Sequence, residues 1–216
     1  MANIREIQTR INSVKDTMKI TNAMYMISST KMRQAKKKLA ESEPYFYGLQ
    51  GEISRILRHI PEIEHLYFDK REEIPKEKRK IGSIVITADK GLAGAYNHNI
   101  VKVEDELLKE PGEHKLFVVG ELGRHYYANK GVKIDTNFLY TVQKPTMHRA
   151  RDIAEEIFSQ FREGELDEVY IVYTRMENSM LTMVEKMKIL PLERSSFNEM
   201  KMPINIHREA IALYPS

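Results

Sequence analysis

The chain has 216 residues, 42% of them hydrophobic, a formal net charge of +3 and no cysteine. The absence of cysteine excludes a disulfide framework, a thiolate metal site and a cysteine nucleophile. No apolar run approaches the roughly 20 residues that a membrane-spanning helix needs. The start of the chain also lacks the basic stretch and apolar core of a secretory signal. We therefore expect no direct membrane insertion.

Basic residues are concentrated near the N-terminus. Residues 1–40 contain nine Lys and Arg against Glu6 and Asp16, a net charge of +7, which leaves −4 for the other 176 residues. A positive field confined to one element predicts an acidic partner for that element. Nucleic acid is an alternative partner, because the cluster at residues 31–38 would also attract phosphates. No Phe or Tyr is interleaved with this cluster to stack on bases, which favours a solvated or protein-facing surface.

An apolar seam with alternating three- and four-residue spacing runs through the first sixty residues. This spacing is typical of a coiled-coil helix, which over residues 3–60 would be about 85 Å long. Pro44 predicts a break in that helix near residues 41–46. The seam consists of Ile4, Ile7, Ile11, Val14, Met18, Thr21, Tyr25, Ser28, Met32, Ala35, Leu39, Ser42, Phe46, Leu49, Ile53, Ile56 and Ile60.

Apolar residues spread beyond this single seam between residues 18 and 27. They surround most of the helix circumference there, so one partner helix cannot cover them all. Three of the six are methionine, whose flexible side chain suits contacts that change without a fixed fit. The pattern predicts a shaft inside an apolar sleeve, although packing in a multi-helix core would use the same residues.

The remainder of the chain shows the alternation of an α/β fold, in which short β-rich runs alternate with helical patterns. We predict a helical shaft over residues 1–66, a charged linker over 67–80 and, over 81–216, a Rossmann-like α/β domain with a mostly parallel sheet. The predicted strands cover 82–87, 115–120, 133–140, 169–173 and 182–190, and the predicted helices cover 94–109, 121–129 and 147–162.

The turn at residues 88–97 joins a predicted strand to a predicted helix, where dinucleotide-binding folds hold phosphate. It contains only Gly91 and Gly94, so it matches neither the dinucleotide fingerprint nor the P-loop spacing. A tight turn is favoured, with Asp89 in a turn or capping role. No histidine pair has metal-binding spacing. We expect no cofactor and no metal, and an enzyme acting on a small molecule remains a weaker hypothesis.

Three stretches carry a family resemblance. Residues 4–11 and 15–32 closely resemble the N-terminal helix of the gamma subunits of rotary ATP synthases, and residues 86–97 resemble the second signature of that family. Residues 169–173 continue the resemblance in the same order. The resemblance extends over essentially the whole chain.

The resemblance implies a central-stalk rotor subunit of a proton-driven ATP synthase, which transmits torque, regulates ATPase activity and proton flow, and is not itself catalytic. In that family the N- and C-terminal helices form an antiparallel coiled coil inside a ring of alpha and beta subunits. The α/β domain meets the epsilon subunit and the membrane proton-carrying ring, which implies a peripheral location on the cytoplasmic face of the cell membrane. The implied partner-contacting residues are Lys19, Met24 and Arg33 at the beta subunits, and Tyr45 and Tyr214 near the epsilon subunit and the ring.

The sequence stops at Ser216, where the family continues into its C-terminal helix. We therefore expect a fragment, a truncated gene product or a partner helix supplied by another chain. A coiled-coil nucleic-acid-binding adaptor is the alternative function, and a rotor subunit would have no nucleic-acid partner.

Overall fold

The computed structural model of the protein describes residues 3–60, 64–178 and 181–198. The chain divides into two units, one built on a long N-terminal helix and the other containing the described residues from 64 to 196. The mixed α/β class and the long N-terminal helix, both predicted from the sequence, are confirmed.

Helix α1 (Ile4–His59) has 56 residues and is the main described element of the first unit. The Asn3 side chain caps its start by accepting a hydrogen bond from the backbone N–H of Arg5 at 3.4 Å. Glu6 in the first turn and Arg58 in the last turn complement the helix dipole. At about 1.5 Å per residue the helix is roughly 84 Å long.

Pro44 lies inside α1 without interrupting it, so the predicted break near residues 41–46 is wrong. Proline lacks an N–H group and removes one hydrogen bond from a helix, but its fixed φ of about −65° is itself helical. Because the flanking residues continue the helical pattern for several turns on both sides, the loss of that bond does not end the helix.

The second unit contains a four-stranded sheet and its covering helices. Its elements are β1 (Lys80–Ile86), α2 (Tyr96–Leu107), β2 (Glu113–Val119), α3 (Glu121–Lys130), α4 (Met147–Arg162), β3 (Glu168–Met176) and β4 (Thr182–Leu190). Two short 3₁₀ helices (Leu66–Phe68 and Lys76–Lys78) come before β1, and the short helix α5 (Arg194–Asn198) follows β4.

The strand order is β2-β1-β3-β4. β1 is parallel to both β2 and β3, whereas β3 and β4 form an antiparallel pair, so the predicted mostly parallel sheet is confirmed. The chain reverses its direction of winding at β1, as in doubly wound α/β folds.

The strand predicted at residues 133–140 is wrong. This segment makes one isolated bridge, between Leu116 and Ile134. The Asp135 side chain then accepts the backbone N–H of Asn137 at 3.0 Å, and this local turn diverts the chain from the sheet. Phe138 enters the core instead and is fully buried.

Two apolar clusters lie on opposite faces of the sheet, because consecutive strand residues point to opposite sides. Ile84 belongs to the cluster under α4, and Val85 belongs to the cluster under α2 and α3. Each fully buried large side chain contributes about 1.5–3 kcal/mol of transfer free energy. The α4 cluster includes Phe117, Val119, Phe138, Ile157 and Phe161, and the α2 cluster includes Ile100, Leu116, Val118, Tyr127 and Val172.

Part of the segment predicted as a linker packs into the α/β unit. Arg71 is 8% exposed and has a positive φ of 47°. Its guanidinium forms an ion pair with Asp167 at 2.6 Å, donates to the carbonyls of Leu166 and Phe161, and lies 4.4 Å from the centre of the Phe161 ring. These contacts attach the segment before β1 to the end of α4.

Candidate partner-binding surface

Helix α1 has an apolar surface along its whole length, and the structure shows no buried residue in it. Large exposed apolar patches on soluble proteins mark interaction sites. We call the part of this surface before residue 40 the α1 apolar surface. It consists of Ile4, Ile7, Ile11, Val14, Met18, Ile20, Met24, Tyr25, Met26, Ile27, Met32 and Leu39.

The α1 apolar surface is widest between residues 18 and 27. Successive residues of a helix are about 100° apart around its axis, so Met26 lies about 80° from Met18, Ile27 about 180° and Met24 about 240°. All four are between 45% and 69% exposed. Apolar side chains therefore face outward around most of the circumference. A single partner helix would cover only one side of this surface.

Threonine hydroxyls in α1 are satisfied within the helix. The Oγ1 atoms of Thr9, Thr17, Thr21 and Thr30 each donate to the carbonyl four residues earlier at 2.9 Å. An apolar partner can cover these residues without burying an unpaired donor. Thr21, a seam residue, is thus compatible with an apolar contact.

The basic residues of α1 differ in their pairing. Lys19 lies 3.1 Å from Asp16 and Lys37 lies 3.8 Å from Glu41. Within the described ranges, Lys31, Arg33 and Lys38 have no ion-pair partner. Exposed pairs contribute little to stability, so Lys19 can exchange Asp16 for another carboxylate at low cost.

Four of the five predicted partner-contacting residues lie on α1, where the structure separates them rather than bringing them together. Lys19 and Arg33 share one side of the helix and are about 21 Å apart along it, whereas Met24 is on the opposite side. Tyr45 is 59% exposed and lies about 18 Å beyond Arg33. Tyr214 lies outside the described residues. The arrangement is an elongated contact surface and not a pocket.

The turn after β1 holds the beginning of α3. The Asp89 Oδ1 atom accepts the backbone N–H groups of Glu121 at 3.3 Å and Val142 at 3.4 Å. The Thr87 hydroxyl oxygen accepts the N–H of Gly123 at 3.0 Å. Two of the N–H groups that a helix leaves free at its start are therefore occupied by side chains. Asp89 has the capping role that its position in the sequence predicted.

Sequence reasoning missed one unusual residue, the fully buried Glu104 of α2. The spacing of Ile100, Val101 and Leu107 contains the signal, because residue 104 falls on the same helix face as these apolar residues. Burial raises the pKa of Glu104 to about 8, although the nearby Ser83 hydroxyl opposes part of the shift.

Two features are absent from the described residues. None of the helices there is long and apolar enough to cross a membrane. In the same part of the chain, no three His, Cys, Asp or Glu side chains are grouped so that they could hold a metal ion.

The family model for ATP synthase matches residues 3–214. The ATP synthase gamma chain of Caldanaerobacter subterraneus subsp. tengcongensis is 41% identical over 193 residues, which are 89% of this chain and 65% of that relative. The gamma chain of Acetivibrio thermocellus is 40% identical over 211 residues, 98% of this chain and 70% of that relative. The chain belongs to the ATP synthase gamma chain family.

The fold also matches a chain in the rotor of the Euglena gracilis mitochondrial ATP synthase. The TM-score is 0.53 at 18% identity, and the match covers 91% of this chain and 65% of that chain. The family model and the two gamma-chain relatives confirm the family resemblance predicted from residues 4–11, 15–32 and 86–97. These comparisons give no support to the alternative of a nucleic-acid-binding adaptor.

Proposed function

We propose that this chain is a central-stalk rotor component of a proton-driven ATP synthase and that it has no catalytic site of its own. The observation that carries the proposal is the α1 apolar surface, which is exposed around most of the helix between residues 18 and 27. A helix with such a surface needs an enclosing apolar partner. Family membership supports the ring of alpha and beta subunits as that partner.

The asymmetry of α1 supplies a mechanism. Lys19 and Arg33 face one side of the helix and Met24 faces the opposite side, so the beta subunits around the shaft meet different chemical surfaces. A ligand-binding equilibrium shifts only through differential contacts, and unequal contacts give identical catalytic sites unequal affinities. Rotation of the shaft then exchanges these affinities among the sites.

Charge complementarity supports the beta subunits as the partner of the basic residues. Arg33, Lys31 and Lys38 have no acidic partner in the described part of the chain, and residues 1–40 have a net charge of +7. Acidic loops of the beta subunits would neutralise this field. Lys19, Met24 and Arg33 are the residues we assign to that contact.

The α/β unit is the part we assign to the epsilon subunit and the membrane proton-carrying ring, with Tyr45 and Tyr214 near that contact. This assignment places the chain peripherally on the cytoplasmic face of the cell membrane. Each charge that crosses a membrane supplies about 2.3 kcal/mol per 100 mV. Several crossings must therefore be accumulated for each product released, and a long stiff helix suits the transmission of that work.

Co-expression with the cognate alpha and beta subunits tests the proposal. We expect a complex that contains this chain together with both subunits, with an ATPase activity that differs from that of alpha and beta alone. Mass determination after size-exclusion chromatography measures the composition. The proposal would be contradicted if the alpha–beta complexes did not contain the chain. It would also be contradicted if the chain left their ATPase activity unchanged.

A further inference from the structure

Glu104 is a buried carboxyl group that the described residues leave without an ion-pair partner. It lies on α2, is 0% exposed, and neither of its oxygens has a hydrogen-bond partner of good geometry. Among the described residues, the Ser83 hydroxyl of β1, which lies near the Glu104 carboxyl group, and the Tyr127 hydroxyl of α3 are also buried without a hydrogen-bond partner of good geometry. Three elements of the α/β unit therefore contribute unsatisfied polar atoms to one interior region.

The surrounding charges do not neutralise Glu104. Lys130 is bound to Asp105 at 2.6 Å, and Lys186 of β4 is bound to Glu110 at 2.9 Å. Asp105 and Glu110 repel a negative charge on Glu104. Lys186 attracts that charge, but the cost of burying the charge is larger than this attraction. The remaining neighbours in the cluster are uncharged at neutral pH, including Tyr127 of α3 and Val172 of β3.

A carboxylate buried without a cation costs several kcal/mol, and such a group keeps its proton instead. Burial accordingly raises the pKa of Glu104 to about 8. Outside the fold the same group would titrate near its ordinary pKa of 4.5. The stability of the packing of α2 on the sheet therefore depends on whether Glu104 carries its proton.

We propose that Glu104 is a pH-dependent lock between α2 and the sheet, closed while its carboxyl group is neutral and released when that group ionises. The direction follows from the proton balance. Between pH 4.5 and about 8 the open state has lost the proton that the closed state retains, so opening becomes easier as the pH rises. Above about pH 8 both states are ionised and the dependence levels off.

The structure contains a groove that Glu104 could approach when the lock is released. A groove of about 900 Å³ between α2 and α3 is lined by Lys102, Lys109 and Lys130. Asp105 and Glu106 also line the groove and pair with Lys130 and Lys109, so Lys102 is the cation that an ionised Glu104 could meet there after a small rotation of α2. The lock is independent of the proposed rotor function, since it depends only on contacts within the α/β unit.

Amide hydrogen exchange of the full chain tests the lock, with Glu104→Gln as the variant. Glutamine keeps the size of the side chain and cannot ionise. At each pH, the exchange rate of the α2 amides in the wild type is divided by their rate in the variant. This ratio cancels the intrinsic pH dependence of amide exchange. We expect this ratio to rise about tenfold per pH unit below pH 8, about a hundredfold from pH 6 to pH 8, and then to level off.

Glu106→Gln is the matched control, because Glu106 is on the same helix and its side chain is 65% exposed. Its ratio to wild type should not change with pH. A flat ratio for Glu104→Gln would overturn the proposal. If that variant does not fold, the infrared spectrum of the wild type decides: the C=O stretch of a protonated buried acid should be present at pH 7 and vanish above about pH 8, and its absence at pH 7 would overturn the proposal.

Discussion

Glu168 of β3 forms ion pairs with Lys188 of β4 and with Arg79, the residue before β1. It accepts hydrogen bonds from the Tyr170 hydroxyl at 2.7 Å and Lys188 at 2.9 Å, and it pairs with Arg79. Burial alone would raise the pKa of Glu168, but these three partners outweigh burial and lower it. The carboxylate is thus better stabilised in the folded chain than in the unfolded chain.

This lowered pKa makes acid stability depend on Glu168. A group whose pKa is lowered by folding contributes stability above its unfolded pKa, and the contribution disappears as the pH falls through the folded value. We expect Glu168→Gln to reduce the free energy of unfolding by about 1–3 kcal/mol at pH 7. The loss should shrink below pH 4.

Urea unfolding of the chain at pH 3 and pH 7 measures both effects. Glu165→Gln is the control, because Glu165 is a nearby exposed residue. An equal loss for Glu168→Gln at both pH values would show that the ion pairs are not the source of its contribution.

Helix α3 meets the turn after β1 so closely that a glycine is required. A Cβ atom on Gly123 would lie 2.6 Å from Thr87 Oγ1, 2.7 Å from Thr87 Cγ2 and 2.8 Å from Val118 Cγ1. We expect Gly123→Ala to destabilise the unit by about 1–3 kcal/mol through overpacking. Adding Thr87→Ser removes one clashing methyl group and should restore part of the loss.

Thermal unfolding of the single and double variants measures this effect. Gly48→Ala is the matched control, because Gly48 lies in α1 with no atom near its missing Cβ, and alanine there gains about 1 kcal/mol of helix propensity. A Gly123→Ala variant as stable as wild type would show that α3 shifts freely away from β1.

Most elements were predictable where local and tertiary preferences agree. Helix α4 matches its prediction at both ends, because its apolar spacing and the Thr146 cap act together. The predicted strand at residues 133–140 failed because the Asp135 turn and the burial of Phe138 outweigh its β-rich pattern. The break predicted at Pro44 is not found, because a long helix tolerates the loss of one hydrogen bond.

The candidate surface was more predictable than the interior chemistry. The α1 apolar surface follows from residue spacing alone, since none of its residues is buried within the described part of the chain. Glu104 could be placed on the inner face of α2, but its missing partners depend on how Lys130 and Lys186 pair elsewhere. Such pairing is a property of the folded unit and is not encoded locally.

The whole molecule combines a long exposed helix with an α/β unit, and its proposed role depends on what surrounds the helix. The chain contains no cysteine, so a single introduced cysteine can carry a photo-crosslinker at a known position. Met24→Cys places that probe in the widest part of the α1 apolar surface. Lys102→Cys, on the exposed side of α2, provides a control in the other unit.

Crosslinking in the complex assembled with alpha and beta subunits tests the enclosed shaft most directly. We expect the probe at residue 24 to crosslink to the beta subunits and the probe at residue 102 not to do so. An assembled complex in which residue 24 reaches neither alpha nor beta would contradict the central claim that α1 turns inside the catalytic ring.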